Sequence, residues 1–197
     1  MKKIIAVLMA ALLIFSFAAC GKNETTETET TTTSVAPLEL LETVWATYST
    51  ADEATYFPAA GGDMLSEETT NWEGPAAFGV TGEAAEFIES MLHFPTASVS
   101  KIDAAASLQH AMMANNFTCG AFHVTNSGDV DGLVEEIKTT INGTQWMCGF
   151  PEKVLIVTVG DTIVSAVGNA QIIDTFNAKL TAVYTSANVV VDEAIVA

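Results

Sequence analysis

Val154-Leu-Ile-Val-Thr-Val-Gly-Asp-Thr-Ile-Val-Ser-Ala-Val-Gly168 decides how this chain folds. It holds two short apolar runs, rich in Val, Ile and Thr, on either side of Gly160-Asp161. Such residues suit the pleated surface of a strand, and neither run is long enough for a buried helix. A Gly-first two-residue loop fits a type II′ hairpin, because glycine accepts positive φ without steric cost. The stretch therefore predicts the central hairpin of a sheet onto which its neighbours fold.

Those neighbours have legible periods. Residues 117–124 read as a strand. Residues 129–141 read as an amphipathic helix, with Val130, Leu133, Val134, Ile137 and Ile141 inward. Residues 169–184 read as a second helix, capped by Asn169, and 188–196 as a last strand. The resulting β-α-β-β-α-β order predicts an α+β fold with a ferredoxin-like sheet and both helices on one face. Upstream, Pro37 opens a helix and 83–92 form another, ended by Phe94-Pro95. The Ala-rich run 103–115 reads as a third helix, with Leu108, Ala111 and Met112 on one face. Between them, 50–82 is irregular; it either covers the core with Phe57, Met64, Leu65, Trp72 and Phe78 or forms a binding lip.

The first 36 residues are of another kind. Residues 1–20 have a basic start (Lys2, Lys3), an apolar run and the ending Phe17-Ala-Ala-Cys20, which make a secretory signal peptide too short to span a membrane. The small-small-Cys ending resembles the lipobox of bacterial lipoproteins, with Phe17 where Leu is usual. That resemblance implies a lipidated Cys20 at the mature N-terminus, and more than one acyl chain gives stable anchoring. Residues 21–36 are a Thr/Glu tether with too little apolar surface to order itself. Its last fifteen residues would reach about 50 Å at roughly 3.3 Å each. A single domain, 37–197, follows, with a helical and irregular part (37–115) and the βαββαβ part (116–197).

Charge excludes several functions. The 197 residues carry 24 Asp and Glu, seven lysines and no arginine, for a formal net charge of −17. Loss of Lys2 and Lys3 with the leader takes this to −19. Nucleic-acid binding needs clustered cations that are missing here, and the bidentate arginine clamp for anions is missing too. Cations, basic partners and neutral ligands remain.

No nucleophile elbow, phosphate loop or dinucleotide fingerprint is present. Ser127-Gly-Asp-Val-Asp-Gly132 invites an EF-hand comparison that fails, since Lys138 falls where a bidentate Glu is needed. His93, His110 and His123 are scattered, and Cys119 with His123 lacks two further metal ligands. No catalytic residue, metal or cofactor is assigned. With Cys20 lipidated, Cys119 and Cys148 remain, an even pair that suggests a disulfide in an exported domain. Closing a loop of about 30 residues would contribute roughly 3–4 kcal/mol; the alternative is two reduced, buried thiols. The most distinctive string is Thr144-Gln-Trp-Met-Cys-Gly-Phe-Pro151. Its Trp146, Phe150 and Pro151 either cap the core or line a recognition surface.

Trp146-Met-Cys-Gly-Phe-Pro151, Ile163-Val-Ser-Ala-Val-Gly168 and Ile172-Ile-Asp-Thr-Phe176 together are similar to an uncharacterised family of lipoproteins from clostridia-type bacteria. The match spans roughly 105–196, and it implies an exported lipoprotein with an α+β domain of unknown function.

The expectation is a lipid-anchored protein on the extracytoplasmic face of the cell membrane, binding an envelope protein or small ligand without catalysis. A glycan or cell-wall hydrolase with paired carboxylates is the enzymatic alternative, and an accessory lipoprotein of a transport system is another. Two measurements follow. Cells fed radioactive palmitate should label the protein and not its Cys20→Ala variant; persistent label on that variant rules out acylation there. Intact mass after alkylation without reductant should be unchanged if Cys119 and Cys148 are bridged, and two added groups would exclude the bridge.

Overall fold

The computed structural model describes residues 34–147 and 149–195. In chain order they form α1 (Pro37–Trp45), β1 (Ala59–Gly62), β2 (Thr70–Asn71), β3 (Ala76–Phe78), α2 (Gly82–Leu92), β4 (Ile102–His110), β5 (Phe117–Val124), α3 (Val130–Gly143), β6 (Lys153–Val159), β7 (Thr162–Gly168), α4 (Ala170–Val183) and β8 (Asn188–Ala194). The leader, Cys20 and most of the tether lie outside the described residues, as does Cys148. The end of the tether is docked: Val35 is half-buried, and its carbonyl accepts the Thr162 hydroxyl at 2.7 Å.

The opening stretch forms the hairpin β6–β7, in register from Val159↔Thr162 to Lys153↔Gly168. Gly160 takes the positive φ, 59°, and Asp161 does not. All seven residues of β7 are buried. The eight-stranded antiparallel sheet runs β2-β1-β4-β5-β7-β6-β8, with β3 sharing the outer edge of β4.

Alternation along the strands feeds two separate cores. Phe122, Val124, Val154, Ile156, Ile163 and Val167 meet α2 and α3 on one face. Phe117, Cys119, Ala121, Leu155, Val157, Val164 and Ala166 meet α1 and α4 on the other. The helical stripes match: Leu133, Val134, Ile137 and Ile141 of α3 enter the first core, Ile173, Phe176 and Leu180 of α4 the second. Asn169 caps α4 by accepting from the amides of Gln171 (3.1 Å) and Ile172 (3.4 Å).

Two expectations are corrected, and the first causes the second. Residues 103–115 do not form a helix; Ile102–His110 is strand β4. Alanine's helix propensity is a weak prior, and this run is buried on both sides, with Ala105 in one core and Ala106 and Leu108 in the other. β4 pairs with β5 from Ile102↔Val124 to Gln109↔Thr118 and so fills the edge where a ferredoxin-like sheet would take its last strand. β8 pairs with β6 instead. β5 and β6 run parallel with β7 between them, and β7 and β8 run parallel with β6 between them. Both crossovers step the same way across the sheet from strands of opposite direction. Right-handed connections then put α3 and α4 on opposite faces, not on one.

β8 is held at its edge by two lysines. Adjacent Asp192 and Glu193 point to opposite faces; Lys153 bonds Asp192 (2.6 Å) and Asp174 of α4, and Lys138 of α3 bonds Glu193 (2.7 Å). The expected irregular region 50–82 supplies β1–β3; its Phe57 and Phe78 are core residues, whereas Leu65 and Trp72 are exposed. Phe87 of α2 is also exposed.

Ile137→Ala and Phe176→Ala should each cost about 2–5 kcal/mol in urea unfolding. Because the sheet separates them, the double variant should lose the sum to within about 0.5 kcal/mol; strong coupling would mean that the helices share a core.

Candidate interaction surface

The segment entering β6 is shaped from the end of β7. A Cβ on Gly168 would sit 2.2 Å from the Asn116 carbonyl oxygen, so glycine there lets the 3-10 turn Ala114–Asn116 close onto the strand. Asn169 N–H donates to that same carbonyl at 2.8 Å. The seated turn aims Asn115, whose Nδ2 donates to the carbonyls of Met147 (2.9 Å) and Gly149 (3.0 Å). His110 at the end of β4 fixes the other side: its Nδ1 accepts from the amides of Met112 and Met113, both at 3.2 Å.

The outcome is a cluster of apolar side chains in water. Met112 is 80% exposed, Met113 53%, Met147 78% and Phe150 59%. They surround a hollow of about 300 Å³ whose lining, completed by Ala114, Asn115, Asn116 and Gly149, contains no charged residue among the described residues. On a chain of net charge −17, such a patch can be approached without like-charge repulsion. Unbranched, polarizable methionine adapts to irregular partner surfaces.

The three residues singled out in the sequence part company. Phe150 joins this cluster. Trp146 is half-buried, packs on the α2/α3 core and meets His93 edge-on with ring centroids 5.0 Å apart. Pro151 is buried. Met112 and Met113 were missed because 103–115 reads as a helix that turns Met112 inward; the adjacent Met pair before Asn115-Asn116 was the available signal.

Cys119 is a free, fully buried thiol in the α1/α4 core, and burial pushes its pKa up, away from thiolate chemistry. Its expected partner, Cys148, lies outside the described residues. His123 bonds Asp103 across β4 and β5 at 2.6 Å, so the three histidines serve three separate places. Ser127–Asp129 is a 3-10 turn leading into α3, with Asn126 accepting from Gly128 N–H at 3.1 Å. Among the described residues no three His, Cys, Asp or Glu side chains converge as a metal-binding group. Among them, too, no helix is long and apolar enough to cross a membrane.

A larger cleft of about 580 Å³ lies between α2 and α3, lined by Glu86, Glu89 and His93 among others. Its two carboxylates stand one turn apart on the same helix and are both exposed. Paired-acid hydrolysis needs carboxyls flanking the scissile bond from two sides. No protein family, curated protein or solved structure matches the chain.

His93 caps α2 in the left-handed conformation (φ 57°), and burial lowers its pKa from 6.5 to about 4. The unfolded imidazole takes up its proton near 6.5 and the folded one near 4, so stability drops as pH falls through that window. The loss should reach roughly 2–3 kcal/mol in urea unfolding between neutral pH and the lower end of the window. His93→Asn, which tolerates the left-handed cap, should lack most of this dependence; an unchanged slope would assign it to other groups.

Proposed function

We propose that this chain is a lipid-anchored extracytoplasmic protein whose α+β domain binds another protein of the cell envelope through Met112, Met113, Met147 and Phe150. The observation that carries the reading is the uncharged apolar cluster itself. Its side chains gain nothing in the folded domain, yet Asn115 and His110 hold their backbone in place. Exposed apolar groups gathered around a hollow and fixed by hydrogen bonds to their backbone are the ordinary make-up of a contact surface.

The anchor rests on the sequence of the leader and on Cys20. Tethering to a membrane confines the domain near its partners and raises their effective concentration, so a modest patch suffices. An accessory role in a transport system is one form of this reading. The hydrolase alternative would have to use the α2–α3 cleft, where two carboxylates on one helix make it the weaker choice.

A photo-crosslinking amino acid placed at Met112 or Phe150 in the producing cells should give one discrete membrane-fraction adduct. The same probe at Glu83, on the exposed start of α2, should give none. Met112→Asp with Phe150→Asp should leave stability within about 0.5 kcal/mol, as exposed positions do, and abolish the adduct. Equal crosslinking from all three positions, or none from any, contradicts the proposal.

A further inference from the structure

A second feature is an aromatic cleft at the end of α1. Trp45, the last residue of that helix, is held in place: its Nε1 donates to the Glu73 carbonyl at 3.2 Å. Gly74 leaves the indole its room, since a Cβ there would sit 3.1 Å from the ring. Two tyrosines lean on this fixed ring. Tyr48 lies 4.8 Å from it between centroids, and Tyr56 stacks on it at 5.5 Å with 20° between the planes. Both tyrosines, with Ser49 and Glu53, line a cleft of about 590 Å³.

The walls offer aromatic carbon and one charge. Tyr56 is 58% exposed although Trp45 covers one side of its ring. Tyr48 is half-buried with its hydroxyl oxygen out of water, so carbon rather than hydroxyl meets the cleft. Its ring already carries a cation: Lys179 Nζ stands 4.5 Å from the ring centre, balanced by Asp52 at 3.0 Å. The Ser49 hydroxyl is taken, accepting the Ala51 N–H at 3.2 Å and donating to Asp52 at 3.3 Å. Glu53 is exposed, and the four described lysines pair elsewhere, with Glu136, Glu193, Asp174 and Asp192, and Asp52.

We infer that this cleft binds a small quaternary ammonium ion, its methyl groups against Tyr48 and Tyr56 and its charge opposite Glu53. Aromatic faces attract cations through the ring quadrupole, and alkylated ammonium ions are the ligands such walls suit. Charge complementarity points the same way. A chain of net charge −17 without arginine repels anions and draws cations in. A primary ammonium is the poorer fit: it is strongly hydrated and brings three donors. The side chains of the cleft offer those donors only Glu53 and the Tyr56 hydroxyl. A quaternary ion has no donor to satisfy and needs only the faces and the charge. The site uses no residue of the methionine surface, so each stands or falls without the other.

Titration of the full chain with choline chloride, followed by amide chemical shifts at ionic strength held constant with sodium chloride, tests this. Saturable shifts centred on residues 45–56 are expected. Tyr56→Leu and Glu53→Gln should each raise the midpoint by about threefold or more, whereas Tyr56→Phe, which keeps the aromatic face, should stay within about twofold. The uncharged isostere 3,3-dimethylbutan-1-ol and the primary amine n-butylammonium should each bind more weakly than choline. Both substituted side chains are exposed; if Tyr56→Leu fails to fold by circular dichroism, Glu53→Gln decides. Absent or unsaturable shifts, an unchanged midpoint in Glu53→Gln, or equal binding of either comparison ligand would overturn the site.

Discussion

Strand β7 is buried along its whole length, and the architecture depends on that constraint. A strand with no solvent face must be covered on both sides and flanked on both edges. Val164 and Ala166 call for one apolar layer and Ile163 and Val167 for another. β5 and β6 occupy the edges, in register over seven residues each. Four amphipathic helices, two to a face, then bury stripes that would otherwise remain in water. Gly168 at the end of this strand extends the constraint outward, because only glycine lets the Ala114–Asn116 turn close against it.

The proposed surface sits where that core runs out. The methionine cluster is built on the turn after β4 and on the segment entering β6. It interrupts no central strand and borrows rigidity from β7 through the close approach of the turn to Gly168. Such placement allows adaptable groups at the surface without a buried polar defect.

Sequence reasoning reached the hairpin and α2, α3 and α4 because those segments carry unmistakable periods of two or of about 3.6 residues. It failed at β4, where a run of small residues buried on both faces has no period and alanine mimics a helix. That failure left the edge of β5 apparently vacant and sent β8 to the wrong side of the sheet. β8 could not correct the error itself, since Val191 is its one buried residue and edge choice is a long-range property. Phe150 was legible as a distinctive aromatic. Its companions Met112 and Met113 were not, because they leave the core only once β4 is known to be a strand.

Native-state hydrogen exchange tests the central claim, a sheet whose middle strands alone carry global stability. Amides of β5, β6 and β7 should exchange only through complete unfolding, with a common urea dependence. Those of β8, of β1–β3 and of the turn at Ala114–Asn116 should open earlier and independently. Protection of β8 equal to that of β7, or early exchange within β7, would contradict the account.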